Sequence, residues 1–437
     1  MRFGRNKLNP TSVGARSRSR SASTPVRGLV ALVAAAAPAT AQDPSLEQRV
    51  QQLEQQNAEL QRRLGAVAEE IEGFRLRDIV PGVGESRFGL GPAASKVYAK
   101  EQGLSIGGYG EVLFTQNSGA TDVLDAQRLI TYFGYKFSDR WVFNSEIEFE
   151  HGSTGGGGTV AIEFAYVDYL WREELAFRAG FLLMPMGLVN ELHEPISFLP
   201  ASRPQTETRI IPSTWREIGA GIFGEAGGFA YKLFGVGGLD GEDFSDAGIR
   251  GGRQSGARAQ ADDFAAVARL DWVGTDGLLL GASAYHGDAG QDHLDGAVRI
   301  TDMSTTVVDV HAEYRTGPWV LRGLYATAVV EDAGTFNTRT GANLARRMQG
   351  WYVEGGVDVL ALAGRETRQA LTPFVRYEQV DTQAWMPGGF APVRARDNEI
   401  LTVGLNWKPI EQIVFKFDYE RWIRGDDRAN VLMGFVF

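Results

Sequence analysis

The stretch from Pro185 to Thr214 gathers the side chains with the widest chemical scope in this 437-residue chain. Glu191, His193 and Glu194 stand close together, Arg203, Glu207 and Arg209 follow, and Arg216 lies just beyond. Carboxylates beside a histidine raise metal binding first. Yet His193-Glu-Pro-Ile-Ser is not the H-E-x-x-H pattern that puts two imidazoles on one helix face, and no second histidine is near. Asp288, Asp292 and Asp295 around Gly290 lack the spacing of an EF-hand. Gly107-Gly108-Tyr109-Gly110 and the run Gly155 to Gly158 neither precede a helix nor carry the Lys-Ser/Thr pair of a phosphate loop. No cofactor or metal is therefore expected. The remaining chemistry is electrostatic: charged side chains on a long loop can decide which ions pass a narrow opening.

Such a loop needs a frame, and the end of the chain shows its kind. Val431, Met433, Phe435 and Phe437 fall on one face of an extended strand, and Ile413, Phe415, Phe417 and Tyr419 alternate with Val414, Lys416, Asp418 and Glu420. A strand apolar on one face and charged on the other suits a wall between lipid and water. The terminal aromatic Phe437 resembles the C-terminal signature of bacterial outer-membrane barrels, which the barrel assembly machinery reads. From Leu104 onward about sixteen such segments follow, divided in alternation by tight turns and long polar loops. They predict a sixteen-stranded antiparallel outer-membrane β-barrel over 104–437, its constriction loop at 185–214. Alternation projects Glu146, Glu148, Arg178, Asp309, Glu313, Arg315, Arg376 and Lys416 inward as the pore wall. Glu191, His193, Glu194, Arg203, Glu207, Arg209 and Arg216 would form the constriction. Eight tryptophans, Trp215 and Trp422 among them, lie near segment ends, where interfacial girdles place them. A barrel this wide holds water, which implies a diffusion channel and no enzyme.

The other end carries an address. Arg2, Arg5, Lys7, Arg16, Arg18, Arg20 and Arg27 precede the first acidic residue, Asp43, and lead into an apolar run ending at Ala39-Thr40-Ala41. Residues 1–41 are expected to be a signal peptide, with the long basic region pointing to a start codon further on. The formal charge is −10 even with those basic residues included, which argues against nucleic-acid partners. Over 42–75, Val50, Leu53, Asn57, Leu60 and Leu64 belong to a seam spaced alternately four and three apart. That seam predicts a periplasmic oligomerising coiled coil, with Asn57 fixing register. A Gly/Ser-rich linker, 76–103, would join it to the barrel.

Arg178-Ala-Gly-Phe, Pro185-Met-Gly187, Arg203-Pro204, Trp215-Arg-Glu-Ile-Gly219 and Gly107-Gly-Tyr-Gly-Glu111, in that spacing and behind a coiled coil, resemble the phosphate-selective porin O and P family. The resemblance implies a homotrimeric outer-membrane porin passing small hydrophilic or charged solutes, anions such as phosphate among them. Family members line their channels with arginine and lysine; this chain departs from that, since Glu146, Glu148, Glu150, Asp309, Glu313, Glu354, Asp358, Asp418 and Glu420 outnumber the inward bases. Phosphate selectivity thus comes from the resemblance alone. The alternatives are a structural tether or a barrel enzyme with a plugged lumen.

Overall fold

A computed structural model describes residues 46–73, 86–295, 298–299 and 302–437. The predicted signal peptide lies outside these, as do the ends of the predicted coiled coil and the first part of the linker. Two compact units divide at Glu72 and Gly73. In the first, α1 runs from Leu46 to Gly73, and its seam residues Val50, Leu53, Leu60 and Leu64 are 48–68% exposed. None of the described helices is long and apolar enough to cross a membrane.

The second unit is a closed barrel in which every strand pairs antiparallel with its sequence neighbours and the last returns to the first. Its strands are β1 Gly103–Asn117, β2 Val123–Lys136, β3 Trp141–Glu150, β4 Thr159–Arg172, β5 Leu175–Leu183 and β6 Arg216–Ala226. Then come β7 Phe229–Gly237, β8 Phe264–Thr275, β9 Leu278–Gly287, β10 Thr305–Thr316 and β11 Trp319–Val330. The last five are β12 Arg347–Val357, β13 Ala370–Trp385, β14 Asp397–Ile410, β15 Ile413–Trp422 and β16 Arg428–Val436. Closure sets Tyr109 opposite Val436 and Asn117 opposite Arg428, so no edge strand is left with unpaired amides. A two-residue ribbon, Leu294–Asp295 with Val298–Arg299, decorates one loop.

Burial follows the two-residue period of a pleated strand. On β15, Phe417 and Tyr419 face outward, while Lys416, Asp418 and Glu420 are buried inside. The outer surface carries Phe133, Phe177, Leu270, Leu321, Val353 and Val403, an apolar belt suited to lipid. Inside, the register strings opposite charges across neighbouring strands. Glu313 stands opposite Arg322, Arg322 opposite Glu354, and Glu354 opposite Arg376.

Three expectations are corrected. The second half of the linker contains α2, Pro92–Ala99, whose residues from Pro92 to Tyr98 are buried. The strand expected to carry Asp358 inward stops at Val357, because the Asp358 carboxylate accepts from Leu360 N and caps a single turn, Val359–Leu362. Asp358 therefore sits at a turn and not on the wall. Among the tryptophans, Trp215 is wholly buried against Tyr285, with ring centroids 4.6 Å apart, and Trp422 is 8% exposed, so neither joins a girdle.

Candidate functional site

The candidate site is the barrel interior where residues 185–214 cross it. Leu183 ends β5 and Arg216 begins β6, so both ends of this segment are tied to adjacent strands. Asn190 closes the neck: its Nδ2 donates to the carbonyls of Met184 (2.7 Å) and Trp215 (2.9 Å), and Trp215 N donates back to Oδ1 at 2.7 Å. One amide side chain thus bonds three buried backbone groups at the end of the sheet ladder, where Met184 N also donates to Trp215 O at 2.9 Å.

From there the segment reaches the far wall, which holds it by its backbone. Lys408 donates to the Ile196 carbonyl (2.8 Å), and Arg322 (2.9 Å) and Arg315 (3.2 Å) to that of Ser197. Asn406 donates to Leu199 O (3.0 Å), Lys416 to Pro200 O (2.8 Å) and Arg376 to Ser202 O (3.0 Å). Ala201 N donates to Asp418 at 2.6 Å. The bases of β10, β11 and β13 to β15 are therefore engaged by the loop's carbonyls. Arg376 and Lys416, read from alternation as pore wall, are inward and buried beneath the loop.

The short helix α3, Gln205–Arg209, climbs back along β12 and β13. Thr206 N bonds Glu378, and Glu207 accepts from Leu188 N (2.8 Å), Val189 N (2.8 Å) and Tyr352 Oη (2.6 Å). Burial raises the Glu207 carboxyl, and these donors pull it back down. A second loop, after β7, braces the first. Arg250 donates to Thr208 O and Ser213 O, and Arg253 to Pro212 O and Thr214 O. Burial lowers both guanidiniums, helped by the charge of Arg253 on Arg250, which falls to about 9, and by that of Arg216 on Arg253.

The predicted constriction residues are thus brought into one interior, but in different roles. Glu191 pairs with Lys232 at 2.6 Å. His193 Nδ1 faces the Asn190 carbonyl at 3.0 Å, so Nδ1 carries the proton, and Nε2 lies 3.4 Å from Glu146. Burial and the charges of Arg203 and Arg128 push His193 down to about 3, leaving it neutral. Glu194 accepts from the first-turn amides of α2. Arg209 bonds Gln205, with its guanidinium 5.7 Å from the Trp422 ring, and Arg216 pairs with Glu163 at 2.6 Å. Arg203 is half-buried, and its Nη2 is enclosed without a hydrogen-bond partner among the described residues.

Cavities remain on both faces of the crossing segment. One of about 420 Å³ is bordered by Glu191, Lys232, Arg269, Asp271 and Glu313. Another, of about 200 Å³, is bordered by Glu111, Gln127, Arg128, Arg203, Ser213 and Arg250. The second is cationic on balance, because Arg128 is paired with Glu111 at 3.0 Å while Arg203 and Arg250 have no carboxylate partner among the described residues. Along the walls most other charges are paired. Arg178 meets Asp168 at 2.8 Å, and Glu148 lies 3.5 Å from Arg128.

Two arrangements were not anticipated. His311 Nδ1 lies 2.6 Å from Asp309 and Nε2 2.9 Å from Asp271, with Ser283 alongside. Ser283 donates to Asp309 and not to the imidazole, so the group lacks a nucleophile bonded to its base. Asp240, Glu242 and His293 present ligand atoms within 4.8 Å of one another and could hold a cation. Their distance in sequence hid both sets; inward parity marked Asp309, whereas nothing marked Asp240.

No family model matches the chain. A protein of Aquifex aeolicus (strain VF5), described as uncharacterized, is 36% identical over 374 residues, covering 82% of this chain and 84% of that one. Among solved structures, a loop L8 deletion mutant of OmpT, an outer membrane protein of Vibrio cholerae, covers 77% of this chain and 100% of its own, with a TM-score of 0.51 at 11% identity. Salmonella typhi OmpF in complex with daunomycin covers 77% and 98%, with a TM-score of 0.49 at 14% identity. At such identities the likeness to OmpT is one of fold, that of an outer-membrane β-barrel. The chain belongs to the family of the Aquifex aeolicus protein and shares with it about four fifths of its length.

Proposed function

We propose that this protein is an outer-membrane porin through which small hydrophilic solutes diffuse passively, without turnover or cofactor. The observation that carries this reading is a wide barrel crossed by one wall-anchored segment, with charge-lined cavities on either face. Side chains alone cannot fill sixteen strands, so the residual lumen is aqueous. Long loops would face outward and tight turns the periplasm, the usual polarity of such barrels. Phe437, which pairs back onto Gly108, would serve as the assembly signal.

The finer reading is anion preference, phosphate included. It rests on Arg203 and Arg250 beside the smaller cavity, because the wall bases are occupied by loop carbonyls. The solvent-exposed seam of α1 supports self-association through a coiled coil, and a homotrimer is the state the porin resemblance implies. A second reading, a tether with a plugged lumen, is favoured by how much of the interior the crossing segment and α2 fill.

The reversal potential of refolded protein in a planar bilayer under a potassium chloride gradient separates these. A steady ohmic current supports the porin, and a reversal potential on the anion side supports the arginine cavity. Cation preference would overturn the anion reading. No current from any variant of the chain would leave the tether.

A further inference from the structure

We propose that α2 is a plug inside the barrel, latched to the crossing segment by Glu194, and that its withdrawal opens the tight-turn half of the lumen. This rests on the porin reading. The helix sits at the strand ends joined by tight turns, against β1, β2 and β3. The wall is shaped for it: a Cβ on Gly107 would lie 2.9 Å from the Ala93 carbonyl, and one on Gly134 would run into the Val97 side chain. Close approach of helix and sheet needs glycine at such positions.

Two sets of bonds hold the helix. Asn144 Nδ2 donates to Ala94 O at 2.9 Å, and the Tyr98 hydroxyl donates to Asp168 at 2.8 Å while accepting from Arg178 at 3.1 Å. These join the plug to the wall. The latch joins it to the crossing segment instead: Glu194 Oε1 accepts from Ala93 N (3.2 Å) and Ala94 N (3.4 Å). Those amides belong to the first helical turn, which has no internal acceptors and carries the positive end of the helix dipole. At Gly91 there is no room for a Cβ beside the same carboxylate.

An eight-residue helix has no stability of its own in water, so it either docks or unravels. What it partitions is open space. A cavity of about 870 Å³ and the one of about 420 Å³ are both lined by Ser86 and Phe88, from the segment leading into α2. Withdrawal of 86–99 would join them into one vestibule reaching the crossing segment. The polar fixings make this a reversible seal, unlike an apolar core element, because water can replace each bond as it breaks.

Single-channel recording of the full chain and four variants tests the plug, with heat-shifted gel mobility confirming that each barrel folds. Glu194→Ala removes the latch and Gly134→Val fills the socket; each should raise the open population about tenfold, the effect of losing one or two hydrogen bonds. Glu194→Gln still accepts from both amides and should behave as the parent. The native chain lacks cysteine, so an Ala94→Cys, Asn144→Cys pair can be oxidised cleanly, and reduction should then increase current. If the parent conducts and neither Glu194→Ala, Gly134→Val nor reduction changes its openings, the plug is wrong and the porin stands. If every variant is silent, both readings fall; a silent parent with a conducting Glu194→Ala would establish the seal.

Discussion

Lys416 Nζ donates to the Pro200 carbonyl at 2.8 Å while standing 3.6 Å from the centre of the Phe198 ring, so one wall lysine grips the crossing segment twice. Lys416 is fully buried, and its amine has no carboxylate within ion-pair distance among the described residues. Replacing it with methionine keeps the bulk and removes the donor. The buried carbonyl it leaves unpaired should cost about 1–3 kcal/mol in urea unfolding, with noisier and larger single-channel currents. Unaltered stability would mean that water takes the lysine's place.

Tyr352 fixes the returning limb through its bond to Glu207. Tyr352→Phe leaves that buried carboxylate two amide donors and no hydroxyl, a loss of about 1.5–3 kcal/mol for a bond to a charged group. Thermal unfolding followed by gel mobility should show the drop. A midpoint equal to the parent's would show that Glu207 is held by its amides alone.

The barrel was legible in the sequence because its period is two and its faces differ in kind. Phe417 and Tyr419 against Lys416 and Asp418 admit no other strand orientation, and closure demands an even count. The interior was only half legible. Parity names the inward residues but not their partners, so Arg376 and Lys416 read as bases facing water, whereas both bond carbonyls of 200–202. Backbone acceptors on a loop have no sequence signature. Segment 86–99 gave still less warning, since two helical turns among glycines and serines establish no periodicity. Trp215 misled for a related reason: its place beside a strand suggested an interface, while the Asn190 clamp turns the neck of the loop, and that ring, inward.

Glu194 gives the seal a pH dependence of definite sign. Burial, reinforced by Glu146 from β3, pushes its carboxyl up to about 8, against the downward pull of the Ala93 and Ala94 amides. Tyr132 from β2 also faces it. A carboxyl raised in the docked state favours docking most fully below its ordinary value, and that contribution is lost as pH rises through about 8. Openings should therefore become more frequent between pH 6 and pH 9, and Glu194→Gln should flatten the response. Openings that decrease with rising pH would reverse the assignment.

The seam of α1 predicts the assembly state. Leu53 and Leu60 are 63% and 58% exposed, a cost that a partner helix removes. Changing both to aspartate should lower the temperature at which the oligomer dissociates in detergent without altering barrel mobility. Dissociation at the parent's temperature would assign cohesion to the barrel walls.

Arg203 is the residue on which selectivity should turn. Its Nη2 is enclosed with no hydrogen-bond partner among the described residues, and the guanidinium borders the cavity of about 200 Å³ that it shares with Arg250. Most wall charges elsewhere are paired or engaged by loop carbonyls and present little net field, so an unpaired guanidinium at the crossing should dominate ion choice there. Arg203→Ala should move the reversal potential toward cations, reducing the anion-to-cation permeability ratio several-fold at 0.1 M salt. At 1 M, where the screening length falls from about 10 Å to about 3 Å, the difference from the parent should shrink. A shift of equal size at both concentrations would mean that the substitution reshaped the passage; no shift at either would transfer selectivity to Glu191, Asp271 and Glu313 on the opposite face.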